Sequence, residues 1–382
     1  MSTAASATSP TISWRELSFL PVNADEIPSP ALILRWEAVE ENLRRMIERV
    51  GSPARLRPHL KTHKLPQIIA RLAELGVTKA KTATIAEAEM AATAGARDVL
   101  LAFPAIGPTV PRLVELVRAF PTVQFSALVD DPAALDALGA AFQRAGLELP
   151  VFVDLDVGMH RTGIAPDDAA AALYARLART PGLRPAGLHA YDGHLSQSDL
   201  AERTAACDAG FATVVALRDR LRAAGLPVPV IVAGGTPTFP IHARRPDVEC
   251  SPGTCVLWDA GYARKVPDLD FVPAAILLTR VISRPGPNRL CLDLGHKAVA
   301  SEMPHPRAIF PALPDAKPVV HSEEHLVLET PHAAGFPVGT VLGAIPWHIC
   351  PTVALQSFVH VSHANRVDAV WPVVARTRRL SA

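Results

Sequence analysis

VFVDLDVGMHRTG, residues 151–163, decides the reading of the fold. A short β-rich run, VFVDLD (151–156), stops at a glycine-containing loop that carries a histidine, an arginine and a threonine. Seven runs of the same kind flank it: LRPHLK (56–61), AKTAT (80–84), VLLAF (99–103), QFSALV (124–129), AGLHAY (186–191), VIVAG (230–234) and DVEC (247–250). Amphipathic segments separate them, such as AEAEMAATAGA (86–96), DPAALDALGAAFQRAG (131–146) and ERTAACDAGFATVVALRDRLRAAG (202–225). Strand alternating with helix implies a parallel sheet. Eight such strands point to a closed (β/α)8 barrel, an α/β fold, rather than an open sheet.

After about Asp270 the texture changes. AAILLTRVIS (274–283), RLCLDLG (289–295), HLVLET (325–330), FVHVS (358–362) and RVDAVWPVVA (366–375) are strand-like, with Gly and Pro turns between them. They predict a mostly antiparallel β domain. The expected division is a barrel over residues 28–265 and a β domain over 266–382, joined by residues 12–27 with the apolar run LSFLPV (17–22). WEAVEENLRRMIERVG (36–51) predicts a helix leading into the barrel.

The 382 residues are 49% hydrophobic and 20% charged, with net charge +1, which suits a globular enzyme and argues against a nucleic-acid surface. Five cysteines at irregular spacing argue against a disulfide framework. Residues 1–13 lack the basic and apolar regions of a secretory signal, and no run of about 18 apolar residues occurs, so no membrane span and a cytoplasmic location are expected.

In a barrel of this kind the chemistry sits where strands end. The first run ends in RPHLKTHK (57–64), where four basic or imidazole side chains surround Lys61. Positive neighbours and desolvation lower a lysine pKa, which makes the amine a nucleophile for an aldehyde; a solvated basic loop is the plain alternative. The sixth run ends in HAYDGH (189–194), the seventh enters AGGTPTF (233–239) and the eighth SPGTC (251–255). The last two are Gly-Thr turns, each opening a helix, and backbone N–H groups there can cradle an anion. PWHICPT (346–352) sets His348 and Cys350 two apart, which on an extended strand places both on one face. Imidazole plus thiolate is a zinc-favouring pair, and two protein ligands leave positions open, as catalytic metals require; a buried cysteine beside an ordinary histidine is the plain alternative.

RPHLKTHK, TIAEAEMAATAGARDVLLAFP, DLDVGMHRTG, AGGTPT, SPGTC, SEEHLVLE (322–329) and the final H-x-C-PT together resemble the D-threonine aldolase and D-serine dehydratase family, pyridoxal-phosphate enzymes of the alanine-racemase-like fold type III. The resemblance spans roughly residues 28–375 and implies a barrel plus β domain and a homodimer. It implies that Lys61 links the cofactor, that Arg161 and Tyr191 lie beside its ring, and that Gly235, Thr236, Gly253 and Thr254 bind its phosphate, with Tyr262 approaching it. For Arg161 an ion pair with an acid such as Asp156 is the alternative, and for Tyr191 ring packing alone. His348 and Cys350 match a divalent-metal pair. His-x-Cys favours zinc, whereas the His-x-Asp of many D-threonine aldolases suits manganese or magnesium. Those aldolases place a base histidine about six residues after the tyrosine; here that position is Gln197, and His194 is the nearest imidazole. The activity implied is retro-aldol cleavage of a D-3-hydroxy amino acid to glycine and an aldehyde. β-Elimination to a 2-oxo acid and ammonia is the alternative, ahead of racemisation or pyridoxal binding without turnover.

Overall fold

The computed structural model describes residues 20–378, so residues 12–19 of the expected N-terminal addition lie outside the described residues. The described chain divides into two compact units. One holds Asn42–Val256 with residues 372–378; the other holds residues 20–41 with Leu257–Trp371.

β1 (Ala31–Arg35) opens the chain's sheets. The barrel unit then carries β2 (Lys79–Thr82), β3 (Asp98–Leu101), β4 (Gln124–Val129), β5 (Leu149–Leu155), β6 (Leu183–Ala190), β7 (Val230–Ala233) and β8 (Val248–Cys250). These seven are parallel and adjacent in sequence order. The ring is closed by residues 56–59, which bridge both edges: Leu56 pairs with Cys250 and His59 with Lys81. Arg57 N donates to Cys250 O at 2.9 Å, and Lys81 N donates to Pro58 O at 2.9 Å. Pro58 has no N–H to give, so the eighth position is filled by irregular backbone rather than a regular strand. The buried Arg57 side chain staples it, with Asp98 oxygens at 2.7 and 2.8 Å and Glu249 Oε2 at 2.8 Å.

The intervening helices start and stop where local chemistry dictates. Asp131 caps Pro132–Ala145 by accepting from Ala134 N at 2.9 Å, and Gly146 ends it at φ 67. Asp199 caps Leu200–Ala223 through Glu202 N at 2.8 Å. Inside the ring Leu100, Leu128, Phe152 and Val232 pack as a buried floor. Strand side chains alternate, so Asp154 shares the face of Phe152 and stands nearer the C-terminal strand ends.

The second unit adds β9 (Ala275–Gly286), β10 (Arg289–Leu292), β11 (Ala308–Ile309), β12 (Lys317–His321), β13 (Leu326–Glu329), β14 (Val341–Pro346), β15 (Phe358–His363) and β16 (Arg366–Pro372). The order is β12-β13-β10-β9-β1-β15-β16, with β14 also on β9 and β11 on β14. The pairs β1–β9, β9–β10, β10–β13, β12–β13, β9–β14 and β11–β14 are antiparallel, and β1 lies parallel to β15. Two stretches read as barrel from the sequence lie with this unit. Residues 31–35 satisfy their backbone between β9 and β15, and Gly261 N donates to Trp347 O at 3.0 Å, holding the segment after Leu257 to β14's end. In the other direction, Val374 N donates to Lys64 O at 3.2 Å, so the tail returns to the barrel unit. Among the described residues no helix is long and apolar enough to cross a membrane.

Candidate active site

Lys61 lies in a 3-10 turn, Leu60–Thr62, directly after the ring-closing segment, and its N–H donates to His59 Nδ1 at 3.3 Å. The basic neighbours in the sequence mostly have other occupations. Arg57 belongs to Asp98 and Glu249, and Lys64 pairs with the buried Glu87. Burial, with Lys61 and Lys81 nearby, holds the pKa of His59 well below the usual imidazole range, and burial pushes that of His63 down to about 3. Both rings are neutral.

The cation that does face Lys61 was missed by sequence reading. Lys81, on β2, is 2% exposed, and burial together with the charge of Lys61 pushes its pKa down to about 7. Its Nζ stands 3.5 Å from His189 Nε2, and His189 Nδ1 lies 2.6 Å from Asp154 Oδ1. Thr162 Oγ1 donates to the other Asp154 oxygen at 3.0 Å. The register explains the pairing, because Asp154 and His189 are partners across β5 and β6. Burial tends to raise the Asp154 pKa, but His189 and Thr162 outweigh it and hold the carboxyl below its ordinary value. Alternation offered a weak signal: Lys81, Asp154 and His189 are polar residues inside runs otherwise buried.

Tyr191 follows β6 by one residue. The Arg161 guanidinium lies 4.8 Å from its ring centroid and Lys81 Nζ 5.5 Å. Asp156 is not the partner of Arg161: its oxygens accept from Gly158 N at 2.9 Å and His160 N at 3.0 Å and meet His160 Nδ1 at 2.7 Å. The Tyr191 ring fits between two turns because both present glycine. A Cβ on Gly193 would stand 2.1 Å from its hydroxyl oxygen, and one on Gly235 would stand 3.0 Å from Cε2.

His194 is exposed, and its ring lies over Gly158, where a Cβ would approach Nε2 to 2.9 Å. Gln197 does not point a base at anything; its buried Oε1 has no hydrogen-bond partner. The two Gly-Thr turns meet. Gly253 N and Thr254 N donate to Thr236 Oγ1 at 3.3 and 3.1 Å, and Gly235 N donates to Thr238 Oγ1 at 3.2 Å. Thr238 in turn donates to Asp192 Oδ1 at 2.6 Å, and His242 Nε2 lies 2.8 Å from Asp192 Oδ2.

Asp192, Cys207 and His242 bring their ligand-type atoms within 4.8 Å of one another, all buried. They form a hydrogen-bonded anchor rather than a metal centre. Arg245 Nη1 donates to His242 Nδ1 at 2.5 Å, so the ring proton is on Nε2 and serves Asp192. No imidazole lone pair is left for a cation.

The mouth of the barrel therefore collects three cationic side chains, Lys61, Lys81 and Arg161, around one carboxylate, Asp154, that His189 and Thr162 already occupy. With a glycine-lined double turn beside them, these residues fit an anionic, flat cofactor such as pyridoxal phosphate.

In the second unit, Tyr262 lies on the helix Ala260–Lys265, with its ring stacked on Trp258 at 5.8 Å and 19°. His348 and Cys350 are not on an extended strand. β14 ends at Pro346, His348 stands at the N-cap position of the helix Ile349–Leu355 without a side-chain cap bond, and Cys350 sits in its first turn. The pair still meets, through a side-chain hydrogen bond. Burial opposes protonation of His348, yet Cys350 and Glu302, which pairs with Nδ1, push its pKa up to about 9. Burial also raises the pKa of nearby Asp259 to about 6, although it accepts from Tyr262 N and Ile349 N at 2.9 and 3.0 Å. Thiolate, imidazole and carboxylate in one place fit a zinc-type donor set.

The structure is similar to that of a D-threonine aldolase from Filomicrobium marinum, with TM-score 0.87, 30% identity and coverage of 94% of this chain and 98% of that one. In sequence it is 30% identical to a 3-hydroxy-D-aspartate aldolase of Paracoccus denitrificans (strain Pd 1222), over 93% of this chain and 94% of the relative. It is 27% identical to a D-threo-3-hydroxyaspartate dehydratase of Delftia sp. (strain HT23), over 86% of this chain and 92% of the relative. A putative serine dehydratase domain matches residues 274–362. The model for the alanine racemase N-terminal domain matches residues 34–258, more than half of the chain, and the chain belongs to that family.

Proposed function

We propose that the protein is a pyridoxal-phosphate-dependent lyase that cleaves a D-3-hydroxy amino acid by a retro-aldol reaction, releasing glycine and an aldehyde. The observation that carries this is the convergence of Lys61, Arg161, Tyr191 and the Lys81–His189–Asp154 chain beside two Gly-Thr turns. The likeness to two aldolases across nearly the whole chain supports it.

Lys61 Nζ would link the cofactor aldehyde, the turns of Gly235, Thr236, Gly253 and Thr254 would take the phosphate, and Arg161 and Tyr191 would border the ring. Tyr262 is proposed as a further phosphate ligand. When bound, the cofactor accepts the electron pair of a broken Cα bond. His348 and Cys350, with Glu302 beside them, would hold a divalent metal, zinc by the softness of the thiolate, which supplies Lewis acidity toward the substrate hydroxyl. The chain's own work is proton management. The His194 imidazole accepts the β-hydroxyl proton in cleavage. Buried Lys81, His189 and Asp154 fix the charge of the barrel mouth and exclude water from it. We also propose a homodimer in the cytoplasm; the five free cysteines, four of them buried, suit a reducing compartment.

The second reading is β-elimination, favoured by the His-x-Cys pair and the likeness to the dehydratase. In that reaction Lys61 Nζ removes the Cα proton. Product analysis with D-threonine separates the two. Acetaldehyde with glycine supports cleavage; 2-oxobutyrate with ammonia overturns it in favour of elimination.

A further inference from the structure

The second unit contains a cavity of about 120 Å³ whose lining has no aspartate or glutamate but two arginines and two histidines: Arg264, Arg307, His305 and His321. Among the described residues neither arginine has a carboxylate partner. Arg307 is instead pre-oriented by neutral acceptors: Nε donates to Met303 O at 3.1 Å and Nη1 to His321 Nδ1 at 3.1 Å. His321 Nε2 lies 3.1 Å from Leu294 O and donates to it. Both nitrogens of His321 are therefore used, and burial with Arg307 nearby pushes its pKa down to about 4. The His305 ring packs against it at 5.4 Å. Arg264 lies over the Trp347 ring, its Cζ 5.2 Å from the centroid.

A cluster of histidines invites a metal reading, but here an arginine spends its proton on the central imidazole, and a cation would meet two uncompensated guanidinium charges. The chemistry fits an anion. Much of the remaining lining is apolar, with Phe310, Leu313 and Leu328, so a small organic acid fits better than a bare inorganic ion. The position is informative too. Arg307 O accepts from Trp347 N at 2.8 Å, one residue before His348, so the cavity wall and the metal-type pair share a backbone connection.

We propose that this cavity is a binding site for the carboxylate of a small organic acid, held by Arg307 and Arg264 against the apolar lining. The carboxylate can come from two sources, the distal end of an acidic D-3-hydroxy amino acid or a free dicarboxylate acting as effector. Guanidinium–carboxylate contacts are charge-assisted and bidentate, so removing one weakens binding about 10- to 100-fold.

The test is calorimetric titration of the cofactor-loaded full chain with succinate, using wild type, Arg307→Met, Arg264→Met and Arg307→Lys, each checked for an unchanged melting temperature. Saturable binding that falls at least tenfold in both methionine variants and partly recovers in Arg307→Lys supports the site. Absent binding, or equal binding in all four proteins, overturns it. Kinetics separate the sources. If the substrate supplies the carboxylate, succinate competes with D-3-hydroxyaspartate, and Arg307→Met lowers kcat/KM for that substrate about 10- to 100-fold more than for D-threonine. If a free acid supplies it, succinate changes turnover of both substrates without competing. The binding arm stands apart from the lyase reading, because a protein that turns over neither substrate still gives a titration result.

Discussion

Replacing Gly193 by alanine should unseat Tyr191 without removing any polar or charged group. An added Cβ would stand 2.1 Å from the Tyr191 hydroxyl oxygen, 2.2 Å from Cζ and 2.6 Å from Cε1. These atoms belong to a rigid ring, so no flexible end can yield. On its other side the ring already lies against Gly235, so close that a Cβ there would come within 3.0 Å of Cε2. The ring must swing out of its seat. Overpacking of this kind costs about 1–3 kcal/mol. Separately, the ring loses its cation contacts with Arg161 at 4.8 Å and Lys81 at 5.5 Å. Each is worth about 0.5–2 kcal/mol depending on desolvation. If the two cation contacts act on cofactor binding, the pyridoxal-phosphate Kd should rise about 10- to 100-fold, about 1.4–2.7 kcal/mol. The assay is titration of the apo-protein with the cofactor, followed by absorbance, for Gly193→Ala, Tyr191→Ala and the double variant. With the ring gone, the three nearest contacts of the added methyl disappear, so the double variant should behave like Tyr191→Ala alone. Wild-type affinity in Gly193→Ala, or simple additivity in the double variant, would show that the ring does not occupy this seat.

Lys61→Ala should lose the borohydride-trapped cofactor adduct, with the label mapping to Lys61 in wild type; a label on Lys81, whose pKa of about 7 makes it the competing nucleophile, would overturn the assignment. His194→Ala should lower kcat for aldol cleavage about 10²–10⁴-fold with the cofactor still bound, and Gln197→Ala far less; equal effects would make His194 a loop residue and favour elimination. Lys81 titrates at about 7 folded and near ~10.4 unfolded, so the unfolded chain binds more protons between these values, and the contribution of Lys81 to stability is lost as pH falls toward 7. Lys81→Met should therefore raise apo-protein stability at pH 7 in urea melts, by an amount that shrinks toward pH 10, while weakening cofactor binding; a gap independent of pH would refute the buried titration. Cys350→Ser should lower zinc affinity in competition with a chelating dye and leave cofactor binding intact; unchanged zinc affinity would remove the thiolate from the metal pair.

The barrel was legible because each parallel strand is a short apolar run and most runs are followed by a helix, several of them opened by a capping Thr or Asp. All eight runs fall in the ring, the first as bridging backbone broken by Pro58. The boundaries were less legible. β1 (Ala31–Arg35) reads as one more apolar run before a helix, and only its pairing with β9 and β15, far along the chain, places it in the other sheet. Local sequence carries no record of such distant partners. The His-x-Cys geometry failed for a related reason: the apolar run before it stops at Pro346, and a helix of seven residues begins directly after His348. Among site residues, those beside glycines and at strand ends stood out, whereas Lys81, Asp154 and His189 are hidden inside strands. A lysine in a strand normally reads as a solvent-facing residue, and only closure of the ring brings it to His189.

Asp154 and Asp192, at the ends of neighbouring strands, divide the work of the site between them. Asp154 faces the interior, takes His189 and Thr162, and sets the charge against which Lys81 and Lys61 are balanced. Asp192 follows Tyr191, and successive residues of extended backbone point to opposite sides. While the tyrosine ring enters the mouth, the Asp192 carboxylate turns to Thr238 and His242. Thr238 Oγ1 also receives Gly235 N, so one short peptide links the ring seat to the anion turn through two hydrogen bonds. Arg245 closes the anchor from outside by donating to His242 Nδ1 while stacking 4.2 Å over Phe211 on the long helix. A displacement of that helix would move Asp192, and with it both the tyrosine and the turn. The proposed cofactor pocket is therefore positioned as a single piece, which is what selective cleavage of one Cα bond would demand of the protein.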